Sequence, residues 1–332
     1  MTVRATYRLD PPEWAETLAV LESVGLADAE VDARARVVDQ KDGTATLEFP
    51  ALAEETDAAA IVSTLVAGEW ADRADLSSCR LISVEWPSGL PGPAFSPADR
   101  PLVGAIVKPA LGLTVAEAAW TARALARGGA ELVKDDELLT DPTWCPLLER
   151  VRAIGADAPY APNVTGPAET LLERAAACVE AGATALMLNV FVQGPDSLRA
   201  LREAELGVPV FAHRVGAAFL ARGERVSVDA RVLAELTRMC GADYVQVGSF
   251  SNRVYDSRAD VRRQIDACHR PLDGAPPATA VIGGGVGPDN AAEHLAAAGT
   301  REGVMLLLGS AAYLDRDGLE RAVAKTVAQC AS

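Results

Sequence analysis

The residues best suited to chemistry stand together in one heptapeptide, Glu131-Leu132-Val133-Lys134-Asp135-Asp136-Glu137. Apolar Leu132 and Val133 follow a Gly128-Gly129 turn and read as a buried strand that ends in a lysine and three carboxylates. An unpaired charge at the edge of a core is costly, so four charges at one strand end imply a shared partner. Side chains alternate along a strand, which puts Lys134 and Asp136 on one face and lets Glu137 join them where the pleat breaks. Converging carboxylates suit a hard divalent cation such as Mg2+, which takes oxygen ligands and keeps several waters. A surface salt-bridge cluster would use the same residue types, and the rest of the chain decides between the two readings.

Such a cluster needs a scaffold that ends many strands at one place. From residue 102 onward the chain repeats strand then helix, with apolar strand candidates at 103–109, 131–137, 159–164, 185–191, 208–214, 243–249, 279–285 and 303–309. Ala-rich helical stretches separate them, for example 114–127, 168–181, 228–239, 289–298 and 318–329. Eight near-continuous apolar strands with intervening helices predict a parallel (β/α)8 barrel of the TIM type over 101–332. An open doubly wound sheet is the alternative, and eight repeats in so short a span favour closure. Residues 1–100 form a different block, with strands at 3–7, 44–49 and 81–85 and helices from Pro11 to about Val24 and over 55–67. This alternation predicts a small α+β, ferredoxin-like domain, and the Pro- and Gly-rich stretch 87–101 reads as a linker.

Chemistry in such barrels sits at the carboxyl ends of the strands. Those ends carry Lys108, the Lys134–Glu137 cluster, Asn163, Asn189, His213-Arg214, Gln246 and Ser249, Gly283-Gly284-Gly285, and Gly309-Ser310. Polar groups at so many ends of otherwise oily strands are the main argument for an enzyme. The Gly283–Gly285 run lets backbone N–H groups approach an anion, and Gly309 after the eighth strand can complete a phosphate site. Arg214 offers a fork for phosphate or carboxylate. His213 is one of three histidines, the other two (His269 and His294) falling on predicted outer helices, and it can carry a proton. Lys108 faces the barrel mouth, where neighbouring cations or a metal can lower its pKa and make it a base.

Composition narrows the partners. With 332 residues, 49% hydrophobic and 23% charged, the chain can build a sizeable core. Its formal net charge of −15 opposes binding to nucleic acid or an anionic membrane and leaves a small-molecule anion as the expected partner. Six scattered cysteines without a CxxC pair suggest reduced packing residues, and the start MTVRATYRLD has no apolar leader, so a soluble cytoplasmic protein is expected.

At these residues the sequence resembles the RuBisCO superfamily, in particular the type IV RuBisCO-like proteins that do not fix CO2. PLVGAIVKPALGLT followed by GGAELVKDDE resembles the family's GxxxKPKxGL and GGxDFxKDDE motifs, and the combined spacing is specific. YAPNVTG resembles the YLNxTAG strand, FAHRVG the HRAMH strand, and VIGGGV the SGGI loop. The resemblance implies that Lys134 is carbamylated by CO2 and that the carbamate binds Mg2+ with Asp136 and Glu137. It also implies an acid–base role for Lys108 and phosphate binding by Arg214 and Gly283–Gly285. Family members are usually dimers, so a homodimer is expected.

Departures from the family pattern limit the activity. Ala110 replaces the second lysine of KPK, Ala217 the second histidine of HRAMH, and Gln246 the histidine of the strand-six motif. The mobile-loop lysine is missing, with Arg253 nearest in register, and the second phosphate loop shrinks to Gly309-Ser310. These losses point away from carboxylation and leave the machinery for one proton transfer beside a metal-bound carbonyl. The expected activity is a Mg2+-dependent enolase or isomerase acting on a small phosphorylated ketose or related acid. The alternatives are a decarboxylase of a 3-keto sugar acid and a catalytically silent binding protein.

Overall fold

The computed structural model describes residues 2–22, 35–52, 57–66, 73–273, 275–314 and 318–331. Its strands are β1 (Val3–Asp10), β2 (Arg36–Lys41), β3 (Thr44–Phe49), β4 (Ser78–Glu85), β5 (Leu102–Ile106), β6 (Leu132–Lys134) and β7 (Tyr160–Ala161). They continue with β8 (Leu186–Asn189), β9 (Val210–His213), β10 (Val226–Val228), β11 (Tyr244–Val247), β12 (Thr279–Gly283) and β13 (Val304–Leu308). Eight of them make one parallel sheet in the order β7-β6-β5-β13-β12-β11-β9-β8. The two ends meet through Asn163 and Met187, with Val164 N–H donating to the Met187 carbonyl at 2.9 Å and Met187 N–H to that of Pro162 at 2.9 Å. The expected barrel is therefore present and closed.

Why these segments make this sheet follows from burial on both faces. In β13, Val-Met-Leu-Leu-Leu, every residue is buried, and each such side chain contributes about 1.5–3 kcal/mol. Alternate residues point inward and build one internal cluster from Ile106, Leu132, Ala161, Met187, Phe211, Val281 and Leu307. The intervening residues, such as Val133, Leu186 and Leu306, pack outward in the larger core beneath the helices. Helices begin where capping side chains stop the preceding turn. Thr114 and Glu117 form a reciprocal capping box for Val115–Arg127, as Ser257 and Asp260 do for Arg258–His269.

The second sheet has the order β10-β4-β1-β3-β2. Its first four sequential strands are antiparallel neighbours, whereas β10 comes from the barrel half of the chain and pairs parallel with β4, Val226 opposite Cys79. The sequence reading placed residue 228 at the start of a helix, but the chain stays extended through Val228 and the helix runs Ala230–Met239 behind an Asp229 cap. The stretch 87–101 is not a free linker. Its Ala94 and Phe95 N–H groups donate to Asp243 at 2.8 and 2.9 Å, and Gly303 N–H donates to Ala98, which straps it across the amino end of the barrel. The first helix is Trp14–Glu22 and the second Ala58–Leu65, so the expected ends near Val24 and at 55–56 and 67 lie outside the described residues. All six cysteines are buried, in keeping with packing roles.

Candidate active site at the barrel mouth

The inward positions of the strands carry through to the mouth. Beyond inward Leu132 stands Lys134, beyond Ile106 stands Lys108, beyond Phe211 stands His213, and beyond Leu307 stands Gly309. β6 ends at Lys134, whose side chain is completely buried at the top of the internal cluster. Its Nζ donates to the Asp135 carbonyl at 2.6 Å and lies 5.5 Å from the Phe211 ring centroid. Burial pulls the Lys134 pKa down to about 8, against the opposing pull of Glu137, Asp136 and Asp135, and Lys108 lowers it further. At neutral pH roughly a tenth of this amine is therefore unprotonated.

Three consecutive carboxylates part company here. Asp135 points outward into the helical layer, where it is fully buried and ion-paired with equally buried Arg150 at 2.7 Å. It also accepts from the Asn163 N–H at 2.8 Å and from the Tyr160 hydroxyl. Arg150 completes its own set with the Cys145 and Thr140 carbonyls. Asp136 points inward and pairs with the Lys108 ammonium, and its other oxygen accepts from Leu138 N–H at 3.1 Å. Glu137 reaches the cavity, its carboxylate 3.5 Å from His213 Nε2.

His213 is held in one tautomer. Val215 N–H donates to Nδ1 at 3.1 Å, so the ring proton of the neutral form sits on Nε2, on the side of Glu137. Burial first, then Lys134, Arg214 and Lys108, pushes its pKa well below the ordinary 6.5, and the ring is neutral at pH 7. Lys108 is positioned from behind: Tyr313 Oη accepts its N–H at 3.0 Å and donates to the Ile106 carbonyl at 2.6 Å.

A cavity of about 560 Å³ opens over these groups, lined by Lys108, Glu137, His213, Arg214, Gly283–Gly285 and Gly309. The mouth therefore brings Lys108, Glu137, His213 and the glycines to one space, with Lys134 and Asp136 beneath. Asn163 is placed elsewhere. It is fully buried, and its amide donates to the Asp136 and Glu137 carbonyls at 3.4 and 3.1 Å, holding the loop that carries the carboxylates. Asn189 does the same from β8, donating to the Glu137 carbonyl at 2.9 Å. Arg214 lines the cavity, but its guanidinium is already engaged by Asp256 at 3.0 Å, the Tyr255 hydroxyl at 2.6 Å and Gln264 at 3.3 Å. At Gly284 and Gly285 the backbone is left-handed (φ 117° and 75°), and a Cβ would stand 2.7 Å from Val254 and from Ser251 Oγ respectively, so only glycine lets the two loops meet. Ser251 Oγ donates to the Gly284 carbonyl at 2.7 Å.

Sequence reasoning missed Arg150, Asp256, Tyr255 and Tyr313. Arg150 left a trace, a basic residue between Leu147 and Val151 on the apolar stripe of its helix, where an unpaired charge would be untenable. Tyr255 and Asp256 sit in a loop, and Tyr313 ends the short 3-10 turn Ser310–Tyr313, whose courses periodicity does not report.

The donor set suits a divalent cation only with a third ligand, because among the described residues no three His, Cys, Asp or Glu side chains stand together to hold a metal ion. Lys108, Lys134, Asp136 and Glu137 sum to zero charge as they stand, and a carbamate on Lys134 gives three anions against one ammonium and one Mg2+, again zero. The Asn189 carboxamide oxygen is buried with no hydrogen-bond partner among the described residues, while the nitrogen of the same amide donates to the Glu137 carbonyl.

The model of the ribulose bisphosphate carboxylase large chain, catalytic domain, matches residues 94–309. An uncharacterized ribulose bisphosphate carboxylase-like protein of Bordetella bronchiseptica is 31% identical over 252 residues, 69% of this chain and 59% of that protein. The 2,3-diketo-5-methylthiopentyl-1-phosphate enolase of Geobacillus thermodenitrificans is 35% identical over 186 residues, 49% of this chain and 45% of the enolase. The chain thus spans about half the length of these curated relatives. Among solved structures, an octameric ribulose-1,5-bisphosphate carboxylase/oxygenase from Pyrococcus horikoshii superposes with a TM-score of 0.90 over 99% of this chain and 87% of its own, at 24% identity, which is a likeness of fold.

Proposed function

The chain belongs to the RuBisCO superfamily as a RuBisCO-like protein, and on that premise we propose that it is a Mg2+-dependent enolase or isomerase and not a carboxylase. The reaction is proton abstraction from the carbon beside a carbonyl of a small phosphorylated ketose or related acid. Asp136, Glu137 and a CO2-derived carbamate on Lys134 would hold the Mg2+. Bound there, Mg2+ supplies Lewis acidity to the carbonyl oxygen. The observation that carries the reading is the Lys134 amine: fully buried, with a pKa lowered to about 8, on the same inward face as Asp136. An amine needs its unprotonated form to add CO2, and burial supplies that form near neutral pH.

The chain's own groups divide the remaining work. Lys108 Nζ, at the cavity wall and drawn to Asp136, takes or returns the substrate proton. The carbamate of Lys134 is the rival base. Neutral His213, its Nε2 3.5 Å from the Glu137 carboxylate, serves as an auxiliary. Asn163 and Asn189 hold the loop that carries the carboxylates, and Gly283–Gly285 and Gly309 leave room for a phosphate at the far wall. Alanines at 110 and 217 and glutamine at 246 stand where the carboxylating relatives' pattern has charged or titratable groups, which supports the non-carboxylating reading.

Exposed Leu111, Leu138, Trp144, Val192, Phe219 and Leu314 lie in segments that follow barrel strands, and we assign them to the interface of a homodimer that would cover the mouth. Among the described residues no helix is long and apolar enough to cross a membrane, and a cytoplasmic location suits the reduced cysteines. The test is thermal stability with Mg2+ and bicarbonate, followed by deuterium exchange into a ketose phosphate. A melting temperature that rises only when both are present, and not in Lys134→Ala, is the expected result. A flat response and no exchange would return the chain to the binding-protein reading. Loss of CO2 from a 3-keto acid without exchange would make it a decarboxylase.

A further inference from the structure

The segment Ser249–Asp256 runs from the end of β11 to the capped helix Arg258–His269 and walls one side of the mouth cavity with Arg253, Val254, Tyr255 and Asp256. A connection that admits a ligand by moving has few contacts of its own. This one is tied to three neighbouring elements.

Its first ties run to the glycine turn after β12. The Ser249 and Ser251 hydroxyls both donate to the Gly284 carbonyl, Ser251 at 2.7 Å, and stand 2.9 Å from each other. The same two oxygens accept from the segment's own backbone, Ser249 Oγ from Ser251 N–H at 3.3 Å and Ser251 Oγ from Arg253 N–H at 3.2 Å. Phe250 N–H donates to Nδ1 of buried His294, on the helix Ala291–Ala298, at 3.4 Å. Val254 fills the middle, its Cγ1 2.7 Å from where a Cβ at Gly284 would stand. At the far end Arg214, the residue after β9, pairs with buried Asp256 at 3.0 Å, and Gln264 Nε2 donates to the same carboxylate at 2.8 Å. Arg214 also donates to the Tyr255 hydroxyl at 2.6 Å and lies 5.1 Å from the centre of that ring.

We propose that this segment is a fixed wall, in place before any ligand arrives, and that Ser251 and Arg214 hold it there. Ser251 acts at the near end, where one hydroxyl is donor to the adjoining loop and acceptor within its own, so that its loss unties both. Arg214 acts at the far end, its charge engaged by Asp256 and not by a ligand. Any closure over a bound substrate then falls to the opposite rim or to a second copy of the chain. The inference rests on the proposed function only in taking this cavity as the substrate's place.

The experiment is hydrogen–deuterium exchange of the full chain in EDTA with no ligand added. The Phe250, Ser251 and Arg253 amides should exchange about tenfold or more slowly than those of Ala110–Leu113 on the Lys108 side of the mouth, whose N–H groups donate to nothing among the described residues. Ser251→Ala should speed exchange at Arg253 about 3- to 10-fold, and Ser251→Thr, which keeps the hydroxyl, should restore most of the protection. Arg214→Met should speed tryptic cleavage after Arg253 about tenfold or more, as should Asp256→Asn, which serves if the first variant fails to fold. Unchanged exchange in the barrel strands will show that the variants are folded. Wild-type amides at 250–253 that exchange as fast as those at 110–113 would make the segment a lid and overturn the proposal. Variants that exchange and cleave like the wild type would overturn the roles of Ser251 and Arg214. Because neither Mg2+ nor bicarbonate is present, a flat thermal response to those additions removes the enolase reading and leaves the wall standing, whereas fast exchange at 250–253 removes the wall alone.

Discussion

Asp135 and Asp136 are neighbours in sequence and opposites in situation. Asp135 faces the helices and is saturated, with Arg150, Tyr160 and a backbone N–H around it, and neither it nor Arg150 is reached by solvent. Asp136 faces the barrel axis beside a buried lysine of lowered pKa and a half-exposed lysine at the cavity wall. One backbone step separates a finished network from an unfinished one. The finished network fixes where the loop lies, and the unfinished one keeps charges that a ligand must complete, which is how a rigid wall and a reactive mouth can share one strand end.

Four measurements can break or sharpen that contrast. The largest effect is expected for Arg150→Met, which strands the Asp135 carboxylate in the helical layer and should cost about 3–5 kcal/mol in denaturant unfolding. Lys134→Met should do the opposite: without Mg2+ at pH 7 it should leave stability unchanged or raise it by up to about 3 kcal/mol, while abolishing the Mg2+ and bicarbonate response. The sign follows from a folded pKa of about 8 against the ordinary 10.5, so the cost of burying this ammonium is full below pH 8 and fades between those values. The two melting curves should therefore converge as pH rises, and a loss as large as that of Arg150→Met would erase the contrast. Asn163→Ala links the regions, and about 1–3 kcal/mol of stability should go with its two carbonyl contacts. Its Mg2+ affinity, read by the thermal shift, should fall about 10- to 100-fold. The smallest effect belongs to His213. Its depressed pKa means that the unfolded chain takes up a proton below about pH 6.5 when the folded chain does not, so stability present above that pH is lost as pH falls, by at most about 1.4 kcal/mol per unit. His213→Gln should flatten that limb of the Tm–pH curve.

The barrel was legible because strands buried on both faces read as unbroken apolar runs, and Val304–Leu308 is as plain as such a run can be. The inward sharing of Lys134 and Asp136 was legible from alternation alone. What Asp135 does was not, because its partner Arg150 sits on the next helix and no local pattern reports a contact fifteen residues away. The occupied state of Arg214 was equally hidden, since it depends on Asp256 and Gln264, far along the chain and on different elements. The strand Val226–Val228 escaped because three residues with one small polar side chain carry no periodicity to read, and their partner strand lies in the other sheet.

That short strand also sets an order of events at the ribosome. β4 gains its outer neighbour only when residues 226–228 have been made, and the flanking pairs Arg80–Asp229 and Trp86–Glu235 both span 149 residues. At about 5–20 residues per second, roughly 7–30 s of synthesis separate the two halves of that sheet edge. During this interval the amino-terminal sheet leaves the tunnel with one side open, which makes it the segment of the nascent chain most in need of shielding from its neighbours.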